Sequence, residues 1–372
     1  MSIAAAQIPL KVGILFDIVL PSGGVWDFKK DIIDAMRLTF EEGVEAGLLD
    51  RPVEIIFREC EGLPRGSVKE VIDTARKLVE EDGCIIVFGP LVTENAPALR
   101  EYIEQEGRVT FLSMCGSDDW LGEWTFALGN GSMPDEPFVI ASIIAQNGHK
   151  RVACTGERSL IGQGYMDFFR KACEVEGLAI TGVQEIAQTD QDAGAIMTTL
   201  KEGNPDAIVH WGFGFGAMRI NAALDALGWS PPRYMGTSWE DGFLKSDIQE
   251  AFAGWVGLEQ YDEENPITQA FLDRFEARYG HRPPYFTPGL GYDLANAIRH
   301  ALANAHPLSP QGVKLGMERV KMLPAASGSA GTRVSFGKWT RRGWMGASYL
   351  VAREFDAQDP AKTIFRGRIA SR

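Results

Sequence analysis

Six residues in the second half of the chain have the spacing of a phosphate-binding turn. Gly212-Phe213-Gly214-Phe215-Gly216-Ala217 fits G-x-G-x-x-A, in which glycines let backbone N–H groups approach a pyrophosphate. The motif follows an apolar run and opens a helical pattern, and an acid, Glu240, stands somewhat beyond the usual ~20 residues. Phe213 and Phe215, however, stand in the approach that the glycines would clear, and the motif lies deep in the chain rather than after a first strand. A glycine-rich, aromatic-walled ligand loop is the preferred reading, with a nucleotide-dependent enzyme as the alternative from another class. Gly236-Thr237-Ser238-Trp239-Glu240 misses the G-x-S-x-G nucleophile elbow by its last residue, and no histidine is placed to serve as a base. The acid runs Asp118-Asp119 and Asp262-Glu263-Glu264 read as solvated faces or helix caps, not as a glycosidase pair. No catalytic residue is assigned, and the chain is read as a binding protein rather than an enzyme.

Metal chemistry has no support either. The five cysteines (60, 84, 115, 154, 173) are odd in number, so they cannot all be paired, and they form no C-x-x-C. The five histidines (149, 210, 281, 300, 306) form no H-E-x-x-H, so no metal or cofactor is expected. The cysteines read as small buried apolar residues. With 37 basic and 50 acidic residues the formal charge is −13, a surface that repels nucleic acid and anionic lipid. No run approaches the ~18 apolar residues of a membrane helix, so the chain is not read as membrane-inserted. The N-terminus carries no basic n-region and no apolar h-region before the first strand, whereas Ala4-Ala5-Ala6 resembles the remnant of a cleavage site. The expected location is periplasmic if a leader has been removed and cytoplasmic as the sequence stands.

The elements that must position these residues alternate. Apolar runs at 12–16, 53–58, 84–88 and 109–113 read as strands, with amphipathic helices at 29–45, 67–81 and 96–106. Ser67, with Glu70 three residues on, predicts a capping box. After Gly129-Asn130-Gly131-Ser132 the pattern restarts, with strands at 151–155, 179–185, 207–211 and 234–236 between helices at 137–146, 164–176, 193–202 and 217–227. Two such series predict two doubly wound α/β lobes. Beyond Trp255 come long helices at 268–279 and 291–305 and a β-rich end, 332–336 and 347–352, which continues neither series. The 372 residues suit two domains at roughly 150 residues each. Residues 1–128 with 257–330 are expected to form the first lobe, 129–256 with 331–355 the second, and 356–372 a C-terminal tail.

In an open α/β sheet, ligands bind beyond the C-terminal ends of the strands. The segments there are Ser22–Trp26, Gly89–Asn95 with Leu91 and Thr93, and Ser113–Ser117 with Gly116 and Ser117. The second series adds Leu160–Gln163 with Ile161, Trp211–Phe215 with Phe213, and Ser238-Trp239. Thr93 precedes a helix, so its hydroxyl and the free N–H groups beyond it either hold an anion or form an N-cap alone. Two lobes offering such ends edge to edge would enclose one cleft for a small molecule. Trp26, Trp211, Phe213, Phe215 and Trp239 would wall it.

Lys11–Leu15 with Ser22-Gly23-Gly24, Val87–Thr93, Phe111–Ser113, Gly162-Gln163-Gly164, Pro205–Val209, Gly291–Ala295 and Val334–Phe336 together resemble a type I periplasmic (solute-binding) protein. The particular likeness is to the leucine/isoleucine/valine-binding family that serves ABC transporters, and it spans nearly the whole chain. It implies two Rossmann-like three-layer lobes joined by three crossovers, closing on ligand by hinge bending. It also implies a ligand carboxylate held by hydroxyls and amides at Thr93 and Gly116-Ser117. The family's acids for an ammonium group fall on about Ser132 and Ser238, which are not acidic, with Asp135 and Glu240 near in register. The resemblance therefore points to a small carboxylate- or amide-bearing molecule with an apolar or aromatic body. The implied partner is an ABC permease, or a regulatory protein if the chain is a cytosolic sensor of the same fold.

Overall fold

A computed structural model describes residues 8–18, 27–63, 65–187, 189–214, 216–243, 246–356, 358–359 and 362–368. The chain divides into two compact units, Met1–Asn130 with Tyr261–Met345 and Gly131–Gln260 with Gly346–Arg372. Unit 1 begins with β1 (Leu10–Phe16), α1 (Asp27–Glu45), β2 (Val53–Glu59), α2 (Val68–Arg76), β3 (Ile86–Phe88), α3 (Ala96–Tyr102), β4 (Thr110–Ser113) and β5 (Thr125–Ala127). Its parallel sheet has the order β2-β1-β3-β4-β5. β1 lies inside and is apolar along nearly its whole length, as a strand covered on both faces must be. Ser67 caps α2 by accepting the Glu70 N–H at 3.2 Å, but the Glu70 carboxylate turns to the Glu61 N–H instead of closing the box. α2 and α3 each run out through a π turn, Lys77–Glu81 and Ile103–Gly107, so the periodic patterns outlast the α-helices.

Unit 2 contains α4 (Glu136–Gln146), β6 (Arg151–Glu157), α5 (Leu160–Glu176), β7 (Ala179–Ile186), α6 (Gly194–Glu202), β8 (Ala207–Trp211), α7 (Ala217–Ala226), β9 (Arg233–Met235), α8 (Ser246–Phe252) and β10 (Trp255–Glu259). α5 starts a turn before its apolar pattern because Ser159 accepts the Gly162 N–H at 3.0 Å. Gly162 is needed there, since a Cβ would stand 2.0 Å from the Glu157 carbonyl oxygen. The chain then returns to unit 1 for α9 (Pro266–Tyr279), α10 (Thr287–Ala303), α11 (Pro310–Glu318), β11 (Leu323–Pro324) and β12 (Arg333–Val334). It ends in unit 2 with β13 (Val351–Phe355) and β14 (Thr363–Arg368), completing a sheet of order β14-β13-β10-β9-β8-β6-β7.

All four borders differ from the sequence reading. The first lies two residues later than expected, after Asn130. β10 pairs antiparallel with β13 over Val256–Glu259, which holds residues 257–260 in unit 2. Residues 331–345, expected with the second lobe, pack in unit 1: Phe336 meets Phe126 edge-on at 5.6 Å, and the Trp344 Nε1–H donates to Gly129 at 2.8 Å. Within the expected tail 356–372, residues Thr363–Arg368 form β14, which pairs antiparallel with β13.

Within unit 2 the Arg353 side chain of β13 is 2% exposed and sits 3.3 Å from Glu259 of β10, which is 0% exposed. Removing one member of such a pair leaves a buried charge uncompensated. Arg353→Ala is therefore expected to lower the unfolding free energy by about 3–5 kcal/mol in urea titration. Arg366→Ala, which breaks the half-exposed pair with Glu354, should cost under about 1 kcal/mol.

Candidate functional site

In unit 1 the strand-end loops are built around one carboxylate. Asp17 follows β1 and is 1% exposed. Its Oδ1 accepts the Leu91 N–H at 2.8 Å, and its Oδ2 accepts the Val92 N–H at 3.1 Å and Asn95 Nδ2 at 2.7 Å. Burial pushes the Asp17 pKa up while these donors pull it back. A second stitch comes from β4: the Ser113 hydroxyl donates to the Pro90 carbonyl at 2.6 Å and accepts the Cys115 N–H at 2.9 Å. The Cys115 thiol, pushed up to about 12 by burial, lies between Ser113 and Thr93.

The 89–95 and 113–117 loops are thus held together. Thr93 is 7% exposed and opens the short 3-10 turn Thr93–Asn95, but its side chain caps no helix. Ser117, partly exposed, accepts the Asp119 N–H at 3.1 Å and keeps its own hydroxyl hydrogen to donate. The Gly116 carbonyl accepts Arg342 Nη2 at 3.1 Å, and the same guanidinium holds Asp118 at 2.7 Å. The Leu91 N–H is committed to Asp17. Trp26 and the Ser22-Gly23-Gly24 turn lie outside the described residues, as does Phe215.

Unit 2 repeats the device with two carboxylates. Glu136, in the first turn of α4, is fully buried. Its Oε1 accepts the Tyr165 hydroxyl at 2.5 Å, and its Oε2 accepts the Thr237 N–H at 2.6 Å and the Thr237 hydroxyl at 3.1 Å. Burial pushes its pKa up to about 7 despite these donors. Gly131 and Gly236 make room for it, since a Cβ at either would lie 2.1 or 2.3 Å from a carboxylate oxygen. Ser132, fully buried, donates its hydroxyl to Asp135 at 2.9 Å, and Tyr349 donates to the same Asp135 oxygen at 3.1 Å.

The second carboxylate, Glu157, ends β6 and is 2% exposed. Its Oε2 accepts the Phe213 N–H at 2.8 Å, and its Oε1 lies 3.5 Å from Nε2 of the buried His210. His210 Nδ1 and the Thr155 hydroxyl are 2.9 Å apart. A Cβ on Gly212 would fall 2.4 Å from the Glu157 carboxyl carbon. The glycine loop therefore wraps a carboxylate of its own chain, in the position a phosphate would need. Asp241 lies close to Glu157, and burial, with that charge adding, pushes its pKa up to about 7.

The remaining residues of interest separate by depth. Trp211 is 1% exposed, stacked on Tyr165 at 5.1 Å and tilted against Phe169 at 5.2 Å. Trp239 is fully buried, stacked on Phe355 at 4.1 Å in the core with Phe252 and Trp255. Ile161 is 7% exposed in the first turn of α5, while Phe213 and Ser238 are partly exposed. Among the described residues, no helix is long and apolar enough to cross a membrane, and no group of three His, Cys, Asp or Glu could hold a metal ion.

A family model described as periplasmic binding protein matches residues 9–348. The chain belongs to the periplasmic binding protein family. The two α/β sheets agree with its type I fold. Solved structures with that fold include a type 1 periplasmic binding protein of Bordetella pertussis, at TM-score 0.79 and 18% identity over 97% of this chain and 100% of that one. A leucine-binding protein of Thermotoga maritima gives TM-score 0.79 and 18% identity over 97% and 98%. The substrate-binding protein of a branched-chain amino acid transporter of Streptococcus pneumoniae, solved with isoleucine, gives 0.77 and 18% over 97% and 100%. Comparison with curated proteins finds no match.

In this periplasmic binding protein, Asp17, Glu136, Glu157 and His210 shape the strand-end loops, and sequence reasoning passed over all four. The signal was available. Asp17 and Glu157 are the first acids after apolar strands, and Glu136 is a lone acid opening the otherwise apolar Glu-Pro-Phe-Val-Ile-Ala-Ser-Ile-Ile-Ala-Gln.

Because Glu136 has a folded pKa above its ordinary 4.5, its stability contribution is fully present below about 4.5 and is lost as pH rises through about 7. Glu136→Gln keeps the neutral shape and removes the titration. Relative to this variant, the wild type should lose on the order of 3 kcal/mol between the two pH limits, read from urea unfolding at each pH. A pH-independent difference would remove Glu136 from this role.

Proposed function

We propose that this periplasmic binding protein is the substrate-binding component of an ABC transporter of the branched-chain amino acid type. On this reading it works in the periplasm, delivers its ligand to a permease, and carries out no catalysis. Its ligand would be a small molecule with a carboxylate or amide head and an apolar or aromatic body. The observation that carries the reading is the pair of loops locked by Asp17 and Ser113, which fixes Thr93 beside the 115–117 turn with the Ser117 hydroxyl hydrogen free to donate. Hydroxyl donors fixed before binding hold an anion or carbonyl without further ordering cost. Within unit 2, the ligand candidates Phe213 and Ser238 are partly exposed and Ile161 is 7% exposed, whereas Ser132, Trp211 and Trp239 are buried.

An α-amino acid is disfavoured by the state of the acids. Asp135, Glu136 and Glu157 each accept hydrogen bonds from their own unit. An ammonium buried without a carboxylate of its own costs several kcal/mol. Isothermal titration should therefore show binding of an aromatic or branched aliphatic acid and none of leucine, isoleucine or valine. Tight leucine binding with no response to the acids would sink the ligand class while leaving the transport role standing. Thr93→Ala should weaken binding of the ionised ligand by about 1–3 kcal/mol without a change in the melting curve. Unchanged affinity would take Thr93 out of the site.

A further inference from the structure

The sheet of unit 1 ends on β2, and among the described residues only β1 pairs with it. Pro52 offers its carbonyl to Leu10 at 2.8 Å, and Cys60 gives its N–H to Phe16 at 2.9 Å, so the even-numbered residues turn their backbone groups toward β1. By alternation, Val53, Ile55, Phe57 and Glu59 turn theirs away from the sheet. Edge strands in soluble monomers are commonly blunted by a lysine, a proline, a bulge or short length. β2, Val-Glu-Ile-Ile-Phe-Arg-Glu, has no lysine, proline or bulge and keeps unbroken register with β1 over seven pairs; what marks this edge is its charges, Glu54, Arg58 and Glu59. Val53, Ile55, Ile56 and Phe57 are all partly exposed, and Val53 and Ile55 continue into a shallow depression with Phe40 and Val44 of α1.

We propose that this edge binds a second copy of itself, the two β2 strands running antiparallel about a two-fold axis at Ile56. In that register Ile55 of one copy faces Phe57 of the other, and both present outward N–H and C=O groups, as a hydrogen-bonded pair requires. Glu54 then faces Arg58 of the other copy at a non-hydrogen-bonded position, where side chains are closest. The axis repeats this pair, so each dimer gains two. Sliding the strands by two residues in either direction puts Glu54 opposite Ile56 or Cys60 and loses both charge pairs. Arg58 can serve, because its bidentate bond to Asp82 uses Nε and Nη2, at 2.6 and 2.8 Å, and leaves Nη1. Glu54 is exposed. The arrangement is isologous and closes at two copies, so it gives a dimer and not a fibre.

Sedimentation velocity of the full chain over a range of concentrations tests this. The wild type should show a concentration-dependent monomer–dimer equilibrium. Glu54→Lys sets like charges opposite one another at both ends and should raise the dissociation constant at least about tenfold. Ile55→Pro removes an outward N–H that β1 does not use and should leave only monomer, with an unchanged circular dichroism spectrum. Should that variant fail to fold, Glu54→Lys, at an exposed position, decides alone. A wild type that stays monomeric at every concentration overturns the proposal, and so does a dimer whose dissociation constant is the same in Glu54→Lys.

Discussion

A carboxylate taken out of water must find donors, and the loops that carry the candidate site are shaped by that requirement. Asp17 draws two backbone N–H groups and an amide into one point, which fixes the path of residues 91–95. Glu136 does the same between α4, α5 and the turn after β9, and Glu157 between β6 and the turn after β8. Each of these loops would otherwise expose unpaired backbone groups at the end of a parallel strand. The donors that hold the carboxylates are the groups that order the loops, so neither can be removed without the other. The Thr93 and Ser117 hydroxyls then stand on loops whose backbone is already hydrogen-bonded in place.

The glycines follow from the same constraint. Gly131, Gly212 and Gly236 are positions where a methyl group would enter the van der Waals envelope of an internal carboxylate. A glycine-rich turn after a strand has the same backbone need whether the anion it approaches is a phosphate or a side chain. Sequence spacing reports that an anion comes close and does not report whose it is. At Gly212 the Phe213 N–H already has Glu157, and a phosphate brought to the same seat would meet a negative charge.

The alternation of apolar runs and amphipathic helices made the two-lobed α/β architecture legible, because parallel strands buried on both faces leave a strong mark in composition. What escaped were elements with weak marks. β5 is three residues long, and β14, Thr-Ile-Phe-Arg-Gly-Arg, is an outer strand with a mostly polar pattern. The strand-end rule names loops and does not assign depth within them. Ser238 and Trp239 are neighbours on one 3-10 turn, yet the serine is partly exposed and the indole lies flat on Phe355 in the core. A rotation of roughly 120° per residue separates them, and nothing in composition reports it. Thr93 shows the same limit: a hydroxyl before a helix reads as a cap, but the intervening 3-10 turn carries it to the Cys115 thiol.

The carboxylates also divide into two populations that respond oppositely to acid. The buried Glu136 and Asp293 and the partly exposed Asp241 have pKa values raised to about 7, Asp293 while accepting the Ala326 and Ser327 N–H groups at 2.8 Å. Their contribution to folding grows as pH falls from about 7 toward their ordinary values. Paired surface acids such as Asp82, held below the usual carboxylate range by the Arg58 guanidinium, contribute above their ordinary pKa and lose that contribution in acid. Both contributions are fullest near the ordinary carboxylate values, so these groups place the stability maximum at about pH 4.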